Sequence, residues 1–316
     1  MSDIKLFSGS ASIDLTQKIA DTIKIPVGRS LVRRFSDGEM KIKIEENIRG
    51  RDVFVVQSTH PPADILLELM LFLDAAKRAS ADRVTAVIPY FGYCRQDRKD
   101  EPRVPISAKL VANLLVTSGA SRLLTIDLHA DQIQGYFDIP VDQLYAVPVF
   151  LNYFKNQNLE NYVIVSPDAG RVNRVRGFAR RLGSDIPIAI VDKRRTGPNQ
   201  SSVFNVIGDV SGKTALIYDD ILDTGGTLVN AAEALAKNNA REVLACVVHP
   251  LLSGEASRRV MDSPIRKLVT TDTIRLPAEK MNEKITILSI AELLGEAIHR
   301  IHRAESISSL FKEVEE

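Results

Sequence analysis

Three aspartates, Asp219, Asp220 and Asp223, fall together with a Thr224-Gly225-Gly226-Thr227 turn in one short stretch. Ahead of it runs Ala215-Leu216-Ile217-Tyr218, which has the length and character of a buried strand. Behind it, Leu228 to Lys237 is rich in Ala and Leu and reads as a helix. Turn amides entering a helix N-terminus, aided by the helix dipole, attract phosphate. Acids beside such a site need a neutral or cationic neighbour, and sugar hydroxyls or Mg²⁺ both qualify. The plainer alternative is a helix after an acidic turn, with Asp223 or Thr224 as N-cap. Three acids and two glycines at one strand–helix junction favour a sugar-phosphate cradle.

Five further stretches are dense in polar chemistry. Arg33-Arg34-Phe35-Ser36-Asp37-Gly38-Glu39 suits a turn between strands. Phe91 to Lys99 leaves a strand end with Arg95, Arg98 and Lys99, where arginine can grip phosphate bidentately and Gln96 can read a base edge. Thr125-Ile126-Asp127-Leu128-His129 and Ser166-Pro167-Asp168-Ala169-Gly170 are matching strand ends, so His129 and Asp168 are candidates for one cation bridging ligand phosphates. His60, His249, His299 and His302 lack such context and read as structural. Asp192 to Ser202 has three cations and no apolar residue, which suits either an exposed hairpin tip or a lid over a transferring phosphoryl group. Gly208 to Thr214 imitates a phosphate-binding P-loop. It has three residues between its glycines where four are needed, and it joins two strands.

The elements that must position these residues alternate along the chain. Strands are expected at Val53–Val56, Val84–Ile88, Leu123–Ile126, Val163–Val165, Ile188–Val191, Ala215–Tyr218 and Val243–Val248, with helices at Ile65–Ala79 and Ile106–Val116. Such alternation implies an α/β fold of mainly parallel sheets flanked by helices, with ligands at the strands' carboxyl ends. The 316 residues suffice for about two domains. An echo between Ala75–Pro89 and Ala232–Pro250 suggests two related units joined near Ala146-Val147-Pro148, residues 1–146 and 147–316. The net charge of +1 gives no global field for nucleic acid or membranes. No apolar run is long enough to cross a bilayer, and Met1 to Lys5 does not open like a secretory signal. Cys94 and Cys246 stand far apart, which suits a reducing, cytoplasmic setting.

Taken together, the stretches resemble the ribose-phosphate diphosphokinase (phosphoribosyl-diphosphate, or PRPP, synthetase) family across nearly the whole chain. The matching runs are Arg34–Glu39, Pro89–Gly92, Arg95–Lys99, Pro105–Lys109, Asp127–Ala130, Gln132–Gly135, Ser166–Gly170, Asp192–Arg195 and Asp219–Thr227. The resemblance implies two tandem type I phosphoribosyltransferase-like domains, the first with the ATP-side motifs and the second with the ribose 5-phosphate site and catalytic loop. It also implies transfer of the β,γ-diphosphoryl group of ATP to the C1 hydroxyl of ribose 5-phosphate, giving PRPP and AMP for nucleotide biosynthesis.

By the same resemblance, Phe35, Asp37, Gly38, Glu39, Arg95 and Gln96 hold ATP, with the Arg34–Glu39 loop supplied by a neighbouring subunit of a homohexamer. His129 and Asp168 are ligands of Mg²⁺. Asp219, Asp220, Asp223, Thr224, Gly225, Gly226 and Thr227, with Arg195, hold ribose 5-phosphate, and Lys193 and Arg195 are catalytic. Arg49, Arg103, Ser306, Ser308 and Ser309 match an effector site for phosphate and ADP. The chain departs from the family pattern at Arg171, where many members have Gly, at Cys94, and at Thr196-Gly197, which replaces Pro-Arg. Two alternatives remain: a transferase that consumes PRPP, and a non-catalytic synthetase-associated subunit. The first lacks the ATP-side motifs, and the second interrupts its loop with extra residues, which Lys193 to Val203 does not have.

Overall fold

The computed structural model describes residues 3–183, 186–194, 203–308 and 310. The chain divides into two compact units, each built on its own sheet. The first contains β1 (Ile4–Ser8), α1 (Ile13–Ile23), β2 (Ser30–Arg34), β3 (Met40–Ile44), β4 (Asp52–Val56), α2 (Asp64–Arg78), β5 (Arg83–Ile88), α3 (Ser107–Ser118), β6 (Arg122–Ile126) and β7 (Val141–Leu144). Its five-stranded sheet has the order β1-β4-β5-β6-β7, and every pairing is parallel. Val53 to Val56 are fully buried, as a strand covered on both faces requires. The antiparallel hairpin β2–β3 stands as a separate ribbon.

The second unit contains α4 (Val147–Phe154), β8 (Tyr162–Ser166), α5 (Val172–Leu182), β9 (Ile188–Arg194), β10 (Val203–Ile207), β11 (Thr214–Leu222), α6 (Gly226–Lys237), β12 (Glu242–Pro250), α7 (Ala256–Asp262), β13 (Ile265–Thr271) and β14 (Ile285–Leu288). The strand order is β10-β9-β8-β11-β12-β13-β14, parallel except for β10 at one edge. Strand alternation assigns its two faces. Ala215 and Ile217 of β11 join Leu228, Ala231, Ala232 and Leu235 of α6 in one core. Tyr218 faces the other way, stacked on Phe178 of α5 at 4.3 Å with Phe150 of α4 against its edge at 6.1 Å.

Helix α8 (Ala291–His302) follows β14 in sequence yet belongs to the first unit, where it packs on α1. Thr273–Arg275 does likewise. A cut at residue 147 therefore does not describe the C-terminal part of the chain. The apolar face of α8 is buried at Leu294, Ala297 and Ile298, and Gly295 lies so close to α1 that a Cβ there would meet Ile23 at 3.0 Å. A polar clasp completes the attachment. The wholly buried Asp52 carboxylate accepts from the Arg83 guanidinium and, at 2.9 Å, from His302 Nδ1, while Arg83 also donates to the His302 carbonyl at 3.2 Å.

Removing a buried acceptor that two cationic or polar groups share costs more than its packing alone. Asp52→Ala is expected to destabilise the first unit by about 2–4 kcal/mol, measured by urea unfolding. Amide hydrogen exchange should show α8 opening before the five-stranded sheet.

Candidate functional site

The Asp219–Thr227 stretch folds as a strand end, a turn and a helix start, with two differences from the sequence reading. First, β11 runs on to Leu222, so Asp219 and Asp220 lie within the strand rather than beyond it. Second, neither Asp223 nor Thr224 caps α6. The N-cap is Gly225, in the left-handed region at φ 81°, and no side chain caps the helix. A glycine is what that backbone angle favours. The amides of the first turn thus meet no capping side chain, which leaves them suited to an anion. Thr224 and Thr227 are exposed beside them.

The turn is held from behind by backbone contacts. The Leu222 and Asp223 carbonyls accept from the Leu252 and Ser253 amides, each at 3.0 Å, and the Thr224 carbonyl accepts from Arg259 of α7 at 3.2 Å. In a trans peptide the carbonyl and the next amide point in opposite directions. Anchoring the Thr224 carbonyl to Arg259 therefore turns the Gly225 N–H to the other side. Sequence reasoning did not identify Arg259, because nothing local ties it to the cradle.

Alternation along β11 sends Asp220 to the Tyr218 face, the face that α5 covers. There Arg171, immediately before α5, lies 2.9 Å from Asp220 Oδ1 through Nη2 and 4.0 Å from Asp219 Oδ1 through Nε. Arg174 Nη1 lies 3.9 Å from Asp220 Oδ2. Asp220 is 4% exposed, so its charge needs a partner. Asp219 differs: burial, and then repulsion from Asp220, hold its carboxyl well above the usual range, with Arg171 opposing them. Two arginines and no acid open α5, which is the reverse of what the helix dipole favours. Asp220 offsets that charge. The sequence marks Arg171 as a departure without saying what it meets.

Asp168 sits at the end of β8, where Oδ1 accepts from the Gly170 amide at 2.8 Å and the Arg171 amide at 3.1 Å. Among the described residues Oδ2 takes no hydrogen bond, so this oxygen fits a cation. His129 follows β6 in the other unit and is half-buried. Among the described residues no three His, Cys, Asp or Glu gather as a ready metal cage.

In the first unit, Arg34–Glu39 forms the tip of the β2–β3 hairpin, exposed throughout, with Phe35 47% exposed. The Phe35 amide donates to the Glu39 carbonyl at 2.8 Å, Asp37 Oδ1 accepts from the Glu39 amide, and Gly38 turns at φ 95°. Arg34 pairs with Asp64 of α2 at 2.6 Å. Arg95 and Gln96 are exposed on a separate loop that is firmly braced. Ser107 of α3 donates to Gln96 Oε1, Gln132 donates to buried Asp97 at 2.8 Å, and the Tyr136 hydroxyl donates to the Asp97 carbonyl. Lys109 in turn donates to the Tyr136 carbonyl at 2.7 Å. Gly92 allows the loop to leave β5, since a Cβ there would meet the Thr59 carbonyl at 2.1 Å.

The Asp192–Ser202 stretch is a loop only in part. Asp192, Lys193 and Arg194 continue β9, and Lys193 pairs with Phe204 of β10 in antiparallel register. Arg195 and Thr196-Gly197 lie outside the described residues, as does Ser309. Of the other effector candidates, the Arg49 amide donates to Asn47, Arg103 has φ 66°, and the Ser306 carbonyl accepts from Arg300 at 3.0 Å. The Ser308 amide donates to Ser306 Oγ at 3.2 Å. Gly208 to Thr214 is the connection between β10 and β11, as its spacing indicates.

Comparison with known proteins covers the chain almost end to end. Residues 4–119 match the N-terminal domain of ribose phosphate pyrophosphokinase, and residues 184–312 match the phosphoribosyl synthetase-associated domain. The ribose-phosphate pyrophosphokinases of Bacillus caldolyticus and Corynebacterium ammoniagenes are each 53% identical, over 98% of this chain and 98% of theirs. The crystal structure of phosphoribosylpyrophosphate synthetase from Mycobacterium smegmatis superposes with a TM-score of 0.91 at 38% identity, covering 96% of this chain and all of that one.

The unequal environments of the acidic pair predict opposite responses to neutralisation. A carboxyl whose folded pKa is raised binds protons more tightly folded than unfolded, so its contribution to stability falls as pH rises between the two values. Asp219→Asn removes that loss and should increase stability near neutral pH while changing it little at acid pH. Asp220→Asn takes a charged acceptor from Arg171 and should cost about 1–3 kcal/mol at neutral pH. Urea unfolding of both variants between pH 4 and 8 measures the contrast.

Proposed function

The chain belongs to the ribose-phosphate pyrophosphokinase family, and from that membership we propose that it transfers the β,γ-diphosphoryl group of ATP to the C1 hydroxyl of ribose 5-phosphate. The products are PRPP and AMP. The observation that carries this reading is the full-length likeness to these enzymes, ATP-side motifs included. A transferase that uses PRPP does not account for the braced Arg95–Lys99 loop, and an associated subunit does not account for the uninterrupted Lys193–Val203 stretch.

In this reading each unit binds one substrate. The cradle takes the 5-phosphate on the uncapped α6 amides and on Thr224 and Thr227, while Asp219, Asp220 and Asp223 accept from the sugar hydroxyls. Arg95 and Gln96 hold ATP from a loop that Ser107, Gln132 and Tyr136 keep rigid, so little ordering is left to binding. Phe35 to Glu39 supply the other ATP contacts from a neighbouring copy of the chain, which suits a hairpin tip that presents its aromatic ring outward. A homohexamer is the assembly proposed.

Diphosphoryl transfer asks for alignment and charge neutralisation rather than a covalent intermediate. Mg²⁺ held by His129 and Asp168 would supply a Lewis acid for the ATP oxygens. Lys193 and Arg195 would neutralise charge as it moves from ATP to the sugar. Arg49, Arg103, Ser306, Ser308 and Ser309 are proposed to take phosphate or ADP as effectors. A cytoplasmic location follows from this metabolic role, and among the described residues no helix is long and apolar enough to cross a membrane.

Incubation with ATP, Mg²⁺ and ribose 5-phosphate tests the reading directly. AMP and PRPP should form together and only when the sugar is present; ATP consumption without it, or none at all, rejects the assignment. Lys193→Ala should lower kcat by about 10²–10³-fold with ATP affinity nearly unchanged, because the interaction strengthens as the transition state forms. Sedimentation at assay concentrations should find an oligomer, and a fully active monomer would exclude the shared hairpin.

A further inference from the structure

A buried pair of adjacent carboxylates ordinarily recruits a metal ion or protonates. In this chain a third solution is present. Arg171 is 16% exposed at its side chain and reaches both acids, Asp220 at 2.9 Å and Asp219 at 4.0 Å, and Arg174 approaches Asp220 at 3.9 Å. The two guanidinium groups offset negative charge at the pair, which weakens the attraction that would hold a divalent ion there. The Arg171 guanidinium also occupies Asp220 Oδ1, at 2.9 Å, an oxygen that such an ion would need. Its backbone is fixed as firmly as its head group, because the Arg171 amide donates to Asp168 at 3.1 Å.

We propose that Arg171 is the resident counter-cation of the Asp219–Asp220 pair, so that this end of the cradle receives sugar hydroxyls and no metal ion. Arg171 is a positioning residue: it orients the carboxylates that meet the sugar. Sugar hydroxyls are neutral and donate hydrogen bonds, so they add to the pair without changing its charge. A divalent ion would have to displace a half-enclosed ion pair first. The Mg²⁺ requirement of the reaction therefore belongs to the Asp168 side of the site and to ATP. The proposal takes Asp219–Thr227 as the ribose 5-phosphate cradle, and its primary test needs neither substrate nor turnover.

The test titrates the full-length protein with Mn²⁺ alone and counts bound ions from the loss of the free-ion electron paramagnetic resonance signal. Arg171→Lys should match the parent chain. Arg171→Gln should bind one additional Mn²⁺ per chain, and adding Asp220→Asn to it should abolish that ion. In the parent background Asp220→Asn should leave the count unchanged. With ribose 5-phosphate, Arg171→Gln should raise KM about tenfold, with kcat less affected and Arg171→Lys restoring most of the loss. An unchanged Mn²⁺ count in folded Arg171→Gln overturns the proposal. A lower count on Asp220→Asn in the parent background overturns it as well, and that measurement stands even if Arg171→Gln does not fold. Failure of the AMP assay would instead fall on the proposed reaction and leave the ion count to be read by itself.

Discussion

Adjacent acids at the end of a buried parallel strand cannot be left unbalanced, and much of the second unit is arranged around that constraint. Asp220 lies on the face that α5 covers, and the Asp219 carboxyl turns back to accept from the Asp220 amide at 2.9 Å, within 4.0 Å of the same Arg171. Asp220 points under α5 and is almost fully enclosed, so it requires a cation, and the start of α5 supplies two. The same contact resolves a second conflict. Arginines at a helix N-terminus oppose the helix dipole, and Asp220 and Asp168 together supply the negative charge that this end of α5 lacks. The strand end and the helix start thus each balance charge that the other would otherwise leave buried.

The cradle depends on the opposite arrangement at the neighbouring helix. α6 begins at a left-handed glycine with no side-chain cap. A Ser or Asp there would satisfy the first amides and occupy them. Leaving them to a ligand lowers the helix's own stability, and α6 tolerates this because Leu228, Ala231, Ala232 and Leu235 are buried against the sheet. The turn's carbonyls are bonded from behind by Leu252, Ser253 and Arg259. The amides are thus held in place by contacts that do not compete for them.

Much of this was legible in the sequence. Buried strands such as Val53–Val56 and Val84–Ile88 announce themselves as short β-rich runs, and Leu228–Lys237 by its helix formers. The motifs fall at strand ends because a parallel sheet puts its loops there. What was not legible depends on contacts distant in sequence. The sequence reading assigns no helix at α8, and nothing local says that one covers α1 of the first unit, where Asp52, Arg83 and His302 meet. The polar composition of Asp192–Arg194 suggests a loop, yet pairing with β10 makes it strand. Arg171 stands out only as an unusual residue after a Pro-Asp-x-Gly turn, since its partner lies on the next strand of the sheet.

The two ways of handling charge in this chain imply a division of labour. Charge that stays constant through a reaction can be balanced permanently, and a fixed guanidinium beside Asp220 does so without a conformational step. Charge that moves, as on phosphoryl oxygens during transfer, is better met by groups that arrive with the substrate or close over it, because a cation already matched to a carboxylate has little left for a developing anion. In the proposed reaction, a resident arginine at the sugar end would therefore complement metal-assisted chemistry at the nucleotide end. In that reaction, an ion on the ATP oxygens would stand where the charge changes.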